Sequence, residues 1–245
     1  MENVIVLKNI IKIFKTSSDA TPYQIALEDI SLEIEKGSLT IIGGANGSGK
    51  SVLMNIISGL MKPSDGIVET SSKPGLVFQD ASTQILGDTP SEDVAVGPKN
   101  LKINKKEIPA IVENSLESVS LLDKADFPAE FLSGGQKRRL AVASILAMNR
   151  DIIIFDEPYA NLDYPGVLDV NSLIHKLHQE NKTILILTHE LEKCLAMADH
   201  FIVLYKGKKV YDGSPQDALQ QDLKKWGIRN PLNQYTCLQD LIWDK

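Results

Sequence analysis

The sequence predicts an α/β protein: a mostly parallel β-sheet with helices on both faces, interrupted by a helical insertion. Three observations carry this prediction. After Arg150, short apolar runs alternate with helical stretches, the pattern of βαβ units. Gly43–Gly49 is a glycine-rich loop set between a strand and a helix. Between about Gln79 and Arg150 the strand-like runs vanish and helical spacing takes over.

The elements follow in chain order. Val4–Leu7, Ile10–Phe14, Ile25–Ile34 and Leu39–Ile42 are short apolar runs and read as strands. Thr16–Thr21 is a polar loop. Lys50–Ser58 is a helix with Val52, Leu53, Ile56 and Ile57 on one side. Gly59–Gly66 holds Pro63 and Asp65 and reads as a turn; Leu76–Phe78 is a short strand. In the insertion, Glu107–Ser120 and Gly134–Met148 carry helical spacing, flanked by charged loops at Lys99–Lys106 and Asp123–Glu130. Ile152–Phe155, Thr183–Leu187 and Phe201–Leu204 are then strands, with helices expected at Gly166–Gln179 and Leu191–Ala198. Val203–Tyr211, broken at Lys206-Gly207-Lys208, predicts a hairpin. Asp222–Lys245 has no clear pattern and reads as a tail, and no repeat or low-complexity tract is present.

Composition narrows the function. A chain of 245 residues can bury a real core, and 43% apolar with 24% charged residues argues against gross disorder. The net charge of −6 argues against a sequence-independent grip on nucleic acid, which needs clustered positive charge. Cys194 and Cys237 are too few for a disulfide scaffold and read as free thiols in a reducing compartment. MENVIVLKNI lacks the apolar core of a secretory leader. No stretch reaches the ~18 apolar residues of a membrane span, so a pump or channel in its own right is excluded.

Gly44-Ala45-Asn46-Gly47-Ser48-Gly49-Lys50-Ser51 fits the eight-residue phosphate-loop pattern. Glycine is needed because backbone N–H groups must close on a phosphate, which a side chain would obstruct. The following helix start adds partial positive charge on the same side. Lys50 then meets the β/γ-phosphates and Ser51 offers a hydroxyl to Mg²⁺. The alternative is a glycine-rich turn without a ligand, which the strand–loop–helix setting disfavours.

A second motif is Ile152-Ile153-Ile154-Phe155-Asp156-Glu157, an apolar run ending in two carboxylates. Asp156 emerges at the carboxyl end of a buried strand, the edge where open parallel sheets bind ligands. There it can hold Mg²⁺ opposite Ser51, while Glu157 orients and polarises the attacking water. A helix-capping acidic pair is the competing reading, and Pro158 would allow that turn. Leu132-Ser133-Gly134-Gly135-Gln136 opens a helix with Ser133 as N-cap and exposes backbone N–H groups to an anion.

With these motifs in this order, the sequence resembles the ATP-binding-cassette (ABC) ATPases from about Val4 to Asp217. The resemblance rests on the phosphate loop, Gln79 in Phe78-Gln79, Ser133–Gln136, Ile152–Glu157, Asn161-Leu162-Asp163, and His189 after Thr188. It implies a P-loop NTPase (RecA-like) core with an antiparallel β-subdomain, spanning residues 1–79 and 150–221. A helical subdomain falls at residues 80–149 and a tail at 222–245. It also implies a head-to-tail dimer, of like or unlike chains, that sandwiches two ATP. One chain would supply Gly44, Asn46, Gly47, Ser48, Gly49, Lys50 and Ser51, with Phe14 stacked on adenine. Glu157, His189 and Gln79 would be catalytic, and Ser51, Gln79 and Asp156 would face Mg²⁺. The other chain would supply Ser133 and Gly135, and Gly134, Gln136 and Asp163 would also be nucleotide-binding. His175, His178 and His200 lack such a setting and read as structural. Lys102, Lys105 and Lys106 read as a solvated loop, and Trp226 and Trp243 as tail packing or partner contacts.

Phe78-Gln79-Asp80-Ala81-Ser82-Thr83-Gln84-Ile85-Leu86, Thr89 and Asp93-Val94-Ala95-Val96-Gly97 are similar to the energy-coupling-factor and cobalt/nickel-type import ATPases. Thr21-Pro22-Tyr23 before Ala26-Leu27 points the same way. Ala45 and Ala81 replace family prolines, Pro90 an aliphatic and Val52 a threonine; none removes a phosphate or Mg²⁺ ligand. The resemblance implies an ATPase subunit at the cytoplasmic face of a prokaryotic cell membrane. It would power import of a vitamin or metal ion through an integral membrane subunit, with no nucleic-acid partner. Gln79–Gly97, polar and carrying Gly87, Pro90 and Gly97, is expected as a mobile loop facing that subunit. The competing classes are a non-transport cassette of DNA repair or the ribosome, and a module that holds ATP without turnover.

Overall fold

The structure, a computed structural model, describes residues 2–16, 22–232 and 237. Thr21 and Trp243, with residues 17–20 of the polar loop and most of the tail past Leu232, lie outside the described residues.

A six-stranded sheet has the order β5-β6-β7-β3-β8-β9. It is built from β5 (Gly75–Val77), β6 (Ile152–Asp156), β7 (Thr183–Thr188), β3 (Leu39–Gly43), β8 (His200–Tyr205) and β9 (Lys208–Gly213). All neighbours are parallel except the β8–β9 hairpin. β3 and β7 are buried at every residue, as strands covered on both faces must be. Alternate side chains enter two cores. Ile153, Phe155, Ile184, Ile186, Ile41 and Phe201 pack toward α4 (Gly134–Ala147) and α5 (Tyr164–Gln179). Ile154, Leu185, Leu187, Ile42 and Ile202 pack on the other side. There they meet α1 (Lys50–Ile57) and a three-stranded antiparallel sheet, β2-β1-β4.

That second sheet differs from the sequence reading in two ways. Val4–Leu7 and Ile10–Phe14 belong to one strand, β1 (Asn3–Lys15), which bulges between them. Asn9 takes φ 52° at the bulge, and its amide donates to the carboxylate of Asp29 (φ 55°) on β2 (Tyr23–Glu35) at 2.8 Å. β4 (Asp65–Thr70) occupies the end of the expected turn and beyond, because Gly66 can press against β1. A Cβ there would lie 2.5 Å from the Asn9 carbonyl oxygen.

Between β5 and β6 the chain is helical: α2 (Pro90–Asn100), α3 (Ile108–Ser118), then α4. α2 overturns the expectation of a loop through Gly97. Thr89 accepts from the Glu92 N–H, Pro90 sits in the first turn, and Glu92 and Asp93 bring negative charge to the helix start. Asp93, Val94, Ala95 and Gly97 are buried. The buried Asp93 carboxylate accepts from the N–H groups of Leu86 (2.6 Å) and Gly87 (3.2 Å) and from the Ser144 hydroxyl of α4 (2.8 Å). Leu191–Ala198, expected as a helix, forms two short 3₁₀ turns, Leu191–Lys193 and Leu195–Met197. After α6 (Pro215–Leu219) the tail is patterned where described: Leu223, Trp226 and Ile228 are buried in the first core, and Trp226 lies 6.1 Å from the Tyr211 ring. No helix among the described residues is long and apolar enough to cross a membrane.

Candidate functional site

β3, β6 and β7 run parallel, so their carboxyl ends share one edge of the sheet. That edge collects the loop after Gly43, the Asp156-Glu157 pair and His189. The chain turns sharply at Gly44, where φ is 150° and a Cβ would lie 2.3 Å from the Leu204 carbonyl oxygen. The hairpin turn between β8 and β9 fastens the loop from behind, its Gly207 N–H donating to the Ser48 carbonyl at 3.0 Å.

Lys50 opens α1 and is buried, at 6% exposure. Its ammonium donates to the carbonyls of Gly44 (2.7 Å) and Ala45 (3.3 Å) and stands 3.6 Å from Glu157 Oε1. Burial lowers its pKa, opposed by the charges of Glu157 and Asp156. Glu157 adopts φ 45°, a left-handed backbone uncommon outside glycine, and its N–H is held by the Leu187 carbonyl at 2.8 Å. Its carboxylate accepts from the Thr188 hydroxyl at 2.9 Å and lies 3.0 Å from His189 Nδ1. Asp156 is the orphan of the group: its Oδ1 is buried without a hydrogen-bond partner. Burial, aided by the charge of Glu157 and opposed by Lys50, pushes its pKa up to about 6. A buried carboxylate oxygen without a partner suits a divalent cation, and Ser51 and Gln79 in the cleft lining also carry oxygen donors.

A cleft of about 620 Å³ opens at this edge, and Asp156 and Gly44 are not among its lining residues. Phe14, Asn46, Gly47, Gly49, Lys50, Ser51, Gln79, Glu157 and His189 meet there. The Lys12 ammonium sits 5.2 Å from the Phe14 ring centroid. Ser48 lies within the loop with a buried hydroxyl. Lys206 and Gly207 also line the cleft, which sequence reasoning missed. Their signal was the Lys206-Gly207-Lys208 break of the hairpin, but only the sheet order places β8 beside β3.

Ser133, Gly134, Gly135, Gln136 and Asp163 do not line this cleft. Ser133 and Gln136 form a reciprocal capping box at the start of α4. A Cβ on Gly134 or Gly135 would meet nothing within 4 Å, so their backbone is open to an outside group. Asp163 caps α5 through the Gly166 N–H at 3.0 Å. His178 and His200 pair with Asp199 (3.1 Å) and Asp212 (2.7 Å), and neither they nor His175 line the cleft. Cys194 is buried, its thiol pushed up to about 12 mainly by that burial.

The ABC transporter family profile matches residues 27–160. The energy-coupling factor transporter ATP-binding protein EcfA of Pediococcus pentosaceus is 38% identical over 249 residues, covering 95% of this chain and 87% of that protein. Among solved structures, cbiO1 of Clostridium perfringens, described as part of the ABC transporter complex cbiONQ, matches with a TM-score of 0.79 at 29% identity. That match covers 94% of this chain and 97% of cbiO1. The dimeric ATP-binding cassette MJ0796, bound to ADP and Pi after hydrolysis, matches with a TM-score of 0.74 at 29% identity, over 86% of this chain and 98% of that one.

Proposed function

Because the chain belongs to the ABC transporter family, and is an ATP-binding and ATP-hydrolysing cassette of an ABC transporter, we propose that it drives import of a micronutrient, a vitamin or metal ion. The observation that carries the chemistry is the convergence of the phosphate loop and Glu157 on one cleft, 3.6 Å apart at Lys50. In this reading the triphosphate lies along Gly44–Gly49, and Lys50 exchanges its carbonyl partners for phosphate oxygens. Ser51, Asp156 and Gln79 would hold Mg²⁺, which would supply charge neutralisation at the γ-phosphate. Glu157 accepts the proton of the attacking water; the 3.0 Å approach of His189 holds that carboxylate in place. Phe14 offers a π-face to adenine.

Ser133–Gln136 and Asp163 act across a dimer. Their position outside the chain's own cleft and the open backbone at Gly134 and Gly135 support this. The dimeric cassette among the structural relatives supports it further. Residues 80–149 form the unit that meets an integral membrane subunit, and the chain rides on the cytoplasmic face of the membrane. The membership of cbiO1 in a larger complex and the EcfA relative support the import branch. The test is twofold. Purified chain should release phosphate from ATP only with Mg²⁺, and tagged chain should co-purify from its own cells with a multi-span protein. Phosphate release without Mg²⁺, or a purified chain with no membrane companion, would overturn the corresponding part.

A further inference from the structure

An edge strand leaves a row of N–H and C=O groups with no neighbouring strand. β5 is such an edge, paired among the described residues only with β6. Its outer groups are met by a side chain instead. Gln84 Nε2 donates to the Leu76 carbonyl at 2.7 Å, and Gln84 Oε1 accepts from the Phe78 N–H at 2.7 Å. In a parallel ladder one residue bonds the carbonyl before and the N–H after the residue it faces. The Gln84 amide reproduces that pattern around Val77. A primary amide can do so because it carries a donor and an acceptor side by side.

The next residue after Phe78 is Gln79, which lines the cleft. Its carbonyl accepts from Arg138 Nη2 of α4 at 3.0 Å. Arg138 itself is 4% exposed, so the guanidinium reaches the Gln79 carbonyl from the protein side. The backbone at the end of β5 is therefore held from both sides, by Gln84 just before Gln79 and by Arg138 at Gln79 itself.

We infer that Gln84 is a positioning residue for Gln79, its amide acting as a one-residue substitute strand that fixes where the Gln79 side chain stands in the cleft. This rests on the reading that Gln79 acts on the nucleotide and its metal. Gln84 touches neither; it acts through Gln79, and Arg138 is the opposing anchor. Gln84 is half-buried, with both ends of its amide engaged on β5.

The test compares the full chain with Gln79→Ala, Gln84→Leu and the double variant, measuring kcat and KM for ATP and the urea unfolding midpoint. Gln84→Leu keeps the volume and deletes both bonds. It should lower kcat about tenfold, since small misplacements of a catalytic group have effects of that order or larger, with KM nearly unchanged. In the Gln79→Ala background the same change should lower kcat no further. An equal loss in both backgrounds would overturn the inference, as would normal kcat for Gln84→Leu where Gln79→Ala is impaired. Normal kcat for Gln79→Ala would remove the reading of Gln79 and the inference with it. If Gln84→Leu does not fold, Gln84→Glu gives the same comparison, retaining the acceptor for Phe78 and losing the donor to Leu76.

Discussion

The Lys50 ammonium lies 3.6 Å from Glu157 Oε1, and both residues are buried. A phosphate entering the loop competes with that carboxylate for the same charge. Lys50→Ala deletes the cation, and ATP affinity should fall about a hundredfold or more, given the strength of charge-assisted bonds to phosphate. Calorimetric titration with MgATP checks this, and unchanged affinity would remove the phosphate-loop assignment.

Glu157→Gln should bind ATP near normally and turn it over at least about a hundredfold more slowly. The amide fills the same space and can still accept from Thr188, but it takes no proton from water. If the nucleotide is shared between two chains, MgATP should also shift this variant to a dimer on gel filtration. Turnover close to that of the parent chain contradicts the role given to Glu157.

Asp156 predicts a pH effect in the absence of divalent cation. Its pKa is raised from 3.8 to about 6, so the folded chain holds a proton there that the unfolded chain has released. Stability therefore falls as pH rises through that interval and stays lower above it. Asp156→Asn removes the buried charge. It should stabilise the chain above neutral pH by roughly 1–2 kcal/mol, after allowing for solvent screening of the partly exposed carboxyl. The gain should shrink toward pH ~4. Urea unfolding with chelator at both ends of the range decides it; a gain independent of pH counts against the buried charge as the cause.

Asp93 joins α2 to α4 and to the segment leaving the cleft. Asp93→Ala strands two N–H groups and a hydroxyl and should destabilise the chain by about 2–4 kcal/mol. Asp93→Asn keeps one acceptor and should lose less. Coincident urea midpoints for parent and alanine variant would show that the three bonds carry little.

A membrane subunit docking beyond Gln79 must find its contacts on outward residues, and Leu86 is 75% exposed. Leu86→Glu should leave the ATPase activity of the isolated chain intact and abolish substrate uptake in vesicles of the whole transporter. Unimpaired uptake would place the docking surface elsewhere.

What the sequence made legible was short-range. The phosphate loop, Asp156-Glu157 and the Ser133 cap are each set by neighbours within eight residues, and the parallel sheet by alternating apolar runs. Other features required knowledge of distant partners. β4 was hidden because its residues are only exposed or half-buried, leaving no apolar run to see. α2 was hidden because Pro90, Gly97 and Pro98 look like breakers, although a proline in the first helical turn behind Thr89 is a start signal. Lys206 and Gly207 reach the cleft only because β8 lies beside β3. Gln84 could not be assigned, since its bonds exist only because β5 is an edge.

β3 carries the phosphate loop, yet both its neighbours, β7 (Thr183–Thr188) and β8 (His200–Tyr205), come far later in the chain. On the ribosome the two sheets therefore mature at different times. β1 and β2 can zip together early, as sequence-local antiparallel partners. β3 waits, its apolar residues unsheltered, until β7 and β8 emerge, and the loop gains its rear support only when Gly207 arrives. Nucleotide affinity is thus expected among the last properties a growing chain acquires. A fragment ending before β8 contains every residue of the phosphate-loop motif but lacks this support, and calorimetric titration with MgATP should find it a far weaker binder than the full chain.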